Sequence, residues 1–447
     1  VKNAVLAAVV AAAAVVGVIL AVVLSGGSGD GDASPGNGTA TGSQATTSPN
    51  GTVPATTGST TRRATTTRRA TTTSAAPAPL PPPRGPRAKT FLLGTVDDSL
   101  VQQDPHFAQA QVDTSLDAGF DAAAVSATWQ PGQRRPPASL VRVLRNVAAA
   151  TRRDHMQLVA VVWNGLGRNT PQTPADRADF AAYAAALAQA LPQVRAVIVG
   201  NEPNLSTFWK PQFGAAGSDV AARAYADLLA RSYDAVKAVR PSVLVLGGAV
   251  SPRGADRPGG SRPTHSPTAF IRDLGAAYRA SHRNRPLMDA FAIHPYMEAS
   301  KDSPSGRHPN NTTITIADYP KLVALLGQAF RDTAQPGARL PIYYTEFGVQ
   351  TTVPPAKRRF YNQFDSPERT DSVSFETQAA YYRRALELAY CQPTVRGLFV
   401  FHTFDEPGLG GWQSGLYFAD RTPKPSLPAF KRAVEDLRNG KLPRCPR

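Results

Sequence analysis

From residue 90 onward, short runs rich in Val, Ile, Leu and Phe alternate with longer stretches in which apolar side chains recur every three or four positions. The first pattern predicts β-strands and the second predicts amphipathic helices; their alternation predicts parallel strands joined by helical crossovers. Eight strands are expected, at Phe91 to Val96, Ala122 to Thr128, Gln157 to Val162, Val194 to Gly200, Val243 to Gly248, Met288 to Ile293, Pro341 to Thr345 and Val395 to Phe401. Among the helices, Ala175 to Leu191 aligns Phe180, Tyr183, Leu187 and Leu191 on one face, and Val220 to Val239 aligns Tyr225, Leu228, Leu229, Tyr233 and Val236. A last helix is expected from about Pro428 to Leu437. Eight βα units over about 350 residues predict an α/β fold of the (β/α)8 TIM barrel type with long loops. A doubly wound sheet would carry a glycine-rich turn after its first strand, where this chain has Val96-Asp97-Asp98-Ser99. The later Gly408-Leu409-Gly410-Gly411 lacks that context and reads as a loop.

The first 89 residues follow neither pattern. Ala4 to Leu24 is an uncharged run of Ala, Val, Leu, Ile and one Gly, long enough at about 1.5 Å per residue to cross a hydrocarbon core of about 30 Å. Residues 1–24 are therefore expected to form an N-terminal transmembrane anchor, with Lys2 on the cytoplasmic side and the rest of the chain outside. A cleaved signal peptide is the alternative, and would make the protein secreted; the apolar run is long for one, and Leu24-Ser25-Gly26-Gly27 matches its cleavage pattern poorly. Residues 25–89 consist of Gly, Ser, Thr, Ala, Pro and Arg, with Arg62-Arg63-Ala64-Thr65-Thr66-Thr67 repeated at once, and read as a disordered linker that stiffens in its final prolines. The domain then occupies 90–447.

The net charge of +16 includes eight basic residues against two acids before residue 90, so linker and domain are both basic. Outside the cytoplasm such a charge favours anionic cell-envelope polymers or lipid headgroups over nucleic acid. The abundance of Ala and Pro alongside Arg fits compositional bias equally well. The only two cysteines, Cys391 and Cys445, are expected to pair in that compartment, and no zinc spacing occurs.

The predicted strand ends collect chemistry. Glu202, in Val199-Gly200-Asn201-Glu202-Pro203, follows strand four, and Glu346, in Tyr344-Thr345-Glu346-Phe347, follows strand seven. A carboxylate at the end of an apolar strand is costly unless it is paired or works in a site, and two at the same end of a barrel suggest acid/base and nucleophilic roles. Strand six ends in His294-Pro295-Tyr296, strand three in Trp163-Asn164, strand two in Trp129 and strand eight in His402. Trp129, Trp163, Trp209 and Trp412 all fall at or beyond strand ends, where wide rings can stack on a sugar face. Asp97-Asp98 and Asp405-Glu406 read as loop-capping or solvated acids rather than as metal ligands.

With these motifs the stretch from about Thr90 to Leu437 resembles the clan A retaining glycoside hydrolases, barrels with Asn-Glu-Pro on strand four and a glutamate on strand seven. The resemblance implies that Glu202 is the acid/base, Glu346 the nucleophile, Asn201 a ligand of the sugar 2-hydroxyl and Tyr296 a hydroxyl that steadies the nucleophile. His294, Trp129, Trp163, Asn164, His402 and Trp412 are the further candidates for substrate binding, and Pro423-Lys424-Pro425 resembles the family's C-terminal ending. The chain departs from the family in lacking an arginine near the end of strand two and a tryptophan at the end of strand eight. The expected activity is hydrolysis of extracellular or cell-envelope poly- or oligosaccharide by double displacement, with no cofactor. The alternative is a surface-tethered, non-catalytic carbohydrate-binding barrel.

Overall fold

The computed structural model describes residues 91–362, 369–442 and 445. Eight parallel strands close into a barrel in chain order, with β8 returning to β1. They are β1 (Leu92–Val96), β2 (Ala122–Thr128), β3 (Gln157–Trp163), β4 (Val194–Val199), β5 (Leu244–Val250), β6 (Ala290–Ile293), β7 (Ile342–Phe347) and β8 (Val395–Phe401). The helices are α1 (Pro105–Ala118), α2 (Ala138–Arg153), α3 (Pro174–Ala190), α4 (Val220–Val239), α5 (Pro267–Ala280), α6 (Tyr319–Ala329), α7 (Phe375–Cys391) and α8 (Leu427–Arg438). The expected anchor at 1–24 and linker at 25–89 lie outside the described residues. Among the described residues no helix is long and apolar enough to cross a membrane.

Side-chain alternation with a period of two builds the core in two layers. On β3, Leu158, Ala160 and Val162 pack outward against the helices, while Val159, Val161 and Trp163 fill the barrel interior. The interior is made narrow by Ala122, Ala124, Ala196, Ala290 and Ala292, and large rings cross it. Gly94 is required there, because a Cβ would stand 2.3 Å from the Phe399 ring. The helices begin where the sequence supplies caps. Thr173 and Asp176 form a reciprocal capping box for α3 ahead of Pro174, and Asp219 caps α4.

β2 and β8 have the expected bounds. β7 differs: it omits Pro341, which has no N–H for a ladder, and continues to Phe347, so Glu346 lies within the strand. At the C-terminal end, Cys391 on the last turn of α7 is joined to Cys445 in a disulfide. By the chain-entropy account, closing a loop of that length stabilises the fold by roughly 4 kcal/mol.

Candidate active site

Glu202 reaches the barrel mouth through a strained turn. After β4 the chain passes through Gly200 at φ 81°, where a Cβ would sit 3.1 Å from the Tyr225 ring, and Glu202 itself has φ 39°. A non-glycine residue with positive φ is held only when its surroundings over-determine it, as happens at functional sites. Here the Glu202 N–H donates to the Ala249 carbonyl at 2.8 Å, and Ala249 sits at φ 46° where β5 shifts register against β6. Tyr225 of α4 ties both strand ends together: its hydroxyl donates to Val199 O at 2.7 Å and accepts from the Gly248 N–H at 2.8 Å. Asn201 is buried in the same turn.

Glu346 arrives differently. Strict alternation along β7 would put it on the outward face with Ile342 and Tyr344, both of which pack in the helix-side layer. The register against β8 shifts between Tyr344 and Phe347, so Phe347 resumes the outward face and Glu346 turns inward. There its Oε2 accepts a hydrogen bond from the Tyr296 hydroxyl at 3.0 Å. His294 Nδ1, just beyond β6, lies 3.1 Å from Glu202 Oε1 and 3.4 Å from Glu346 Oε2. These two carboxylate oxygens therefore stand within about 6.5 Å of each other, the sum of their distances to one nitrogen. Four of the candidates, Glu202, Glu346, His294 and Tyr296, thus form one buried cluster.

Burial raises the Glu346 carboxyl to about 7; the His294 charge and the Tyr296 hydrogen bond pull it back, and the neighbouring Glu202 charge pushes it further up. Burial alone would lower His294, but the charges of Glu346 and Glu202 outweigh it and hold the imidazole above its ordinary 6.5. Burial and both glutamates keep the Tyr296 phenol protonated far beyond its usual range. A group that must be ionised for reaction and titrates near 7 gives an acid limb there: kcat/KM falls as pH drops through that value. Tyr296→Phe removes a bond made preferentially to the ionised carboxylate. The acid limb should move to higher pH and kcat should fall by roughly tenfold or more. A pH profile of the variant whose limb stays in place would show that Tyr296 does not act on Glu346.

The aromatic candidates divide. Trp163 and Trp412 belong to the interior cluster with Tyr296 and Phe401, and the Trp412 ring lies 5.1 Å from Tyr296 and 5.4 Å from Phe401. Their indole N–H groups are buried without a partner, so the mouth holds unspent donors, whereas His402 Nε2 faces Glu406 Oε1 at 3.4 Å. Glu406 fixes Trp412, accepting its backbone N–H at 2.9 Å. Phe401 takes the inward place at the end of β8, beside Tyr296. Trp129 and Trp209 are corrections to the expectation of four rings on one face. Trp129 continues the outward parity of Ala123, Val125 and Ala127, packs at a tilt against Phe180 with ring centres 5.6 Å apart and donates to Gln133 O, while Trp209 packs edge-on against Tyr225.

Asn164 is a second correction, since both its amide hydrogens are committed to backbone, at Leu166 O and Phe208 O, where they tie two mouth loops together. His402 is held by Val96 O at 2.7 Å. Although burial opposes it, Glu406 and Asp97 raise its pKa to about 9, so it is cationic at neutral pH and lowers Glu346. The paired acids are structural: Asp97 accepts the N–H groups of Thr403 and Phe404, Asp98 that of Ser126, and Asp405 forms a fully buried pair with Lys424 at 2.7 Å. No group of three or more metal-ligating side chains is clustered among the described residues.

Solved structures with the same fold include a GH5_18 variant from Streptomyces cattleya in complex with Manβ1-4GlcNAc, 18% identical, with a TM-score of 0.53 over 80% of this chain and 83% of that one. The chain has the (β/α)8 barrel fold of that structure. Others with the same fold are a β-glucosidase from Exiguobacterium marinum, 15% identical with a TM-score of 0.50 over 78% of this chain and 99% of that one, and the virulence factor SghA of Agrobacterium tumefaciens with its substrate analog salicin, 14% identical with a TM-score of 0.50 over 79% and 97%. No family model and no curated protein matches the sequence.

Arg253, Gln350 and Arg369 also stand at the mouth beside Tyr296 and Trp412 and were not expected from the sequence. Arg253 had a signal: it is a charged residue three positions beyond an apolar strand, in the same relation to β5 as Glu202 to β4.

Proposed function

We propose that the protein is a retaining glycoside hydrolase that cleaves poly- or oligosaccharide outside the cytoplasm. The observation that carries this reading is the pair of buried carboxyl groups on one imidazole, with a tyrosine donor on the second. Retaining enzymes hold their carboxyl groups about 5 to 5.5 Å apart and inverting enzymes roughly 6.5 to 9.5 Å, so oxygens no more than about 6.5 Å apart favour direct attack over an intervening water. In the first step the Glu346 carboxylate attacks the anomeric carbon while the protonated Glu202 gives its proton to the departing oxygen, which leaves as the alcohol. In the second, the Glu202 carboxylate takes a proton from water; the resulting hydroxide equivalent attacks the anomeric carbon and the bond to Glu346 breaks. His294 stands between the two acids, 3.1 Å from Glu202 and 3.4 Å from Glu346, and holds them at one place.

Burial makes Glu346 basic for a carboxylate, and a basic carboxylate is the better nucleophile once ionised. The Tyr296 donor stabilises it before attack and as it departs. Asn201 beside Glu202 is read as the ligand of the sugar 2-hydroxyl, and Trp163 and Trp412 as walls of the sugar site. The disulfide and the apolar N-terminal run support an extracytoplasmic position, anchored through residues 4–24 with the linker as tether. The test is hydrolysis of a panel of aryl glycosides by the 447-residue chain, alone and as Glu346→Gln. Turnover by the unmodified chain, lost in the variant, is expected; binding of the panel without turnover by the unmodified chain would favour the carbohydrate-binding reading instead.

A further inference from the structure

Beside Tyr296 and Trp412 the mouth continues into a narrow cleft bordered by Arg253, Gln350 and Arg369, with the acids Glu298 and Asp371 also on its wall. Its polar side chains offer donors that nothing in the protein uses. Gln350 is fully buried and its amide nitrogen has no partner, although its oxygen accepts the Gln413 N–H at 3.3 Å. Arg369 spends Nε and Nη2 on Asp371, at 2.9 and 3.1 Å, and leaves Nη1 buried and unpaired. The Trp412 indole N–H is likewise unspent, and the Arg369 guanidinium lies 5.7 Å from that ring. Among the described residues the Arg253 side chain makes one hydrogen bond, from Nη1 to Met297 O at 3.1 Å, and has no carboxylate within ion-pair distance.

Unpaired buried donors are costly, and the unspent atoms here, Gln350 Nε2, Arg369 Nη1 and Trp412 Nε1, are all donors that a group which only accepts would satisfy. A neutral hydroxyl brings a donor of its own and meets that demand poorly. A carboxylate or phosphate brings acceptor oxygens alone and matches the planar fork of a guanidinium. The local acids do not supply this role fully: Asp371 is consumed by Arg369 and by the Ser300 N–H at 2.9 Å, and Glu298, although its charge acts on Arg253, is exposed and forms no ion pair with it among the described residues. The cleft is also close to the chemistry. Burial lowers Arg253 from its ordinary value, and Glu298 and then Glu202 offset that with their charge, so Arg253 and Glu202 feel one another.

We propose that this cleft is an anion subsite and that the glycan cleaved at Glu202 and Glu346 carries an acidic substituent, foremost a uronate carboxylate, on a sugar next to the scissile bond. This inference rests on the glycosidase reading for its substrate, though not for its binding test. Saturation-transfer NMR of the 447-residue chain with glucuronate, glucose 6-phosphate and glucose gives three dissociation constants. Glucuronate is expected to bind at least about tenfold tighter than glucose, to weaken with added salt, and to lose most of that advantage in Arg253→Gln. Tighter binding of glucose 6-phosphate than of glucuronate would assign the subsite to phosphorylated sugars. Equal affinities for all three in the unmodified chain would overturn the proposal whether or not the variant folds. The glycosidase reading is judged separately, by turnover of the aryl glycoside panel.

Discussion

Glu346→Ala is expected to lower turnover by roughly 10⁴-fold or more, because it removes the atom that bonds to the sugar and leaves Glu202 without a partner in the first step. The position is buried, so the variant leaves a small hole beside the anomeric carbon, facing Tyr296 and His294. Azide fits such a space. With substrates that have good leaving groups, added azide should restore product formation by direct attack, giving a glycosyl azide of inverted configuration. The configuration decides the role: an azide product of retained configuration from this variant would mean that another residue is the nucleophile.

Glu202→Ala should behave in the opposite way. A 2,4-dinitrophenyl glycoside needs little protonation of its leaving group, so glycosylation of Glu346 should survive, and the slow step becomes release of the glycosyl-enzyme. Substrates with poor leaving groups should lose roughly 10² to 10⁴-fold, the usual worth of general acid catalysis. Azide needs no general base and should speed release, giving a product of retained configuration. The same substitution removes the charge that helps raise Glu346, so the acid limb of the pH profile should move below about 7. Similar losses for all leaving groups, with no response to azide, would refute the acid/base assignment.

The barrel was legible because each strand carries its own apolar run and each helix its own period, so local preference and global fold agree at β2, β8 and α4 almost residue for residue. Glu202 was legible for a related reason: Gly200 announces the turn that delivers it. Glu346 was found by its neighbours in sequence, but its inward direction depends on the register shift between β7 and β8, a property of two strands that neither run encodes alone. Trp129 shows the reverse case. Counting by twos from Ala123 places it outward against Phe180, and proximity to a strand end was a poorer guide than parity.

The cleft residues were illegible for a physical reason. Arg253 lies past β5, Gln350 and Arg369 past β7, and Trp412 past β8, so only closure of the barrel brings them together. The Asp405–Lys424 pair depended on the same closure: Asp405 looked like a loop-capping or solvated acid, yet both side chains are fully buried and joined to Tyr361, Gly415, Thr351 and Gln413. A buried ion pair so completely hydrogen-bonded fixes the loop that carries Trp412, which is the form in which such pairs are tolerated.

The retaining mechanism requires a covalent bond between sugar and Glu346. Incubating the 447-residue chain with the 2-deoxy-2-fluoro analogue of whichever panel glycoside it hydrolyses fastest, carrying a 2,4-dinitrophenyl leaving group, should arrest the second step. Intact mass should then rise by one fluoroglycosyl unit, and peptide mapping should place the label on Glu346. Full turnover of the parent glycoside with no trapped adduct, or a label on any other residue, would contradict it.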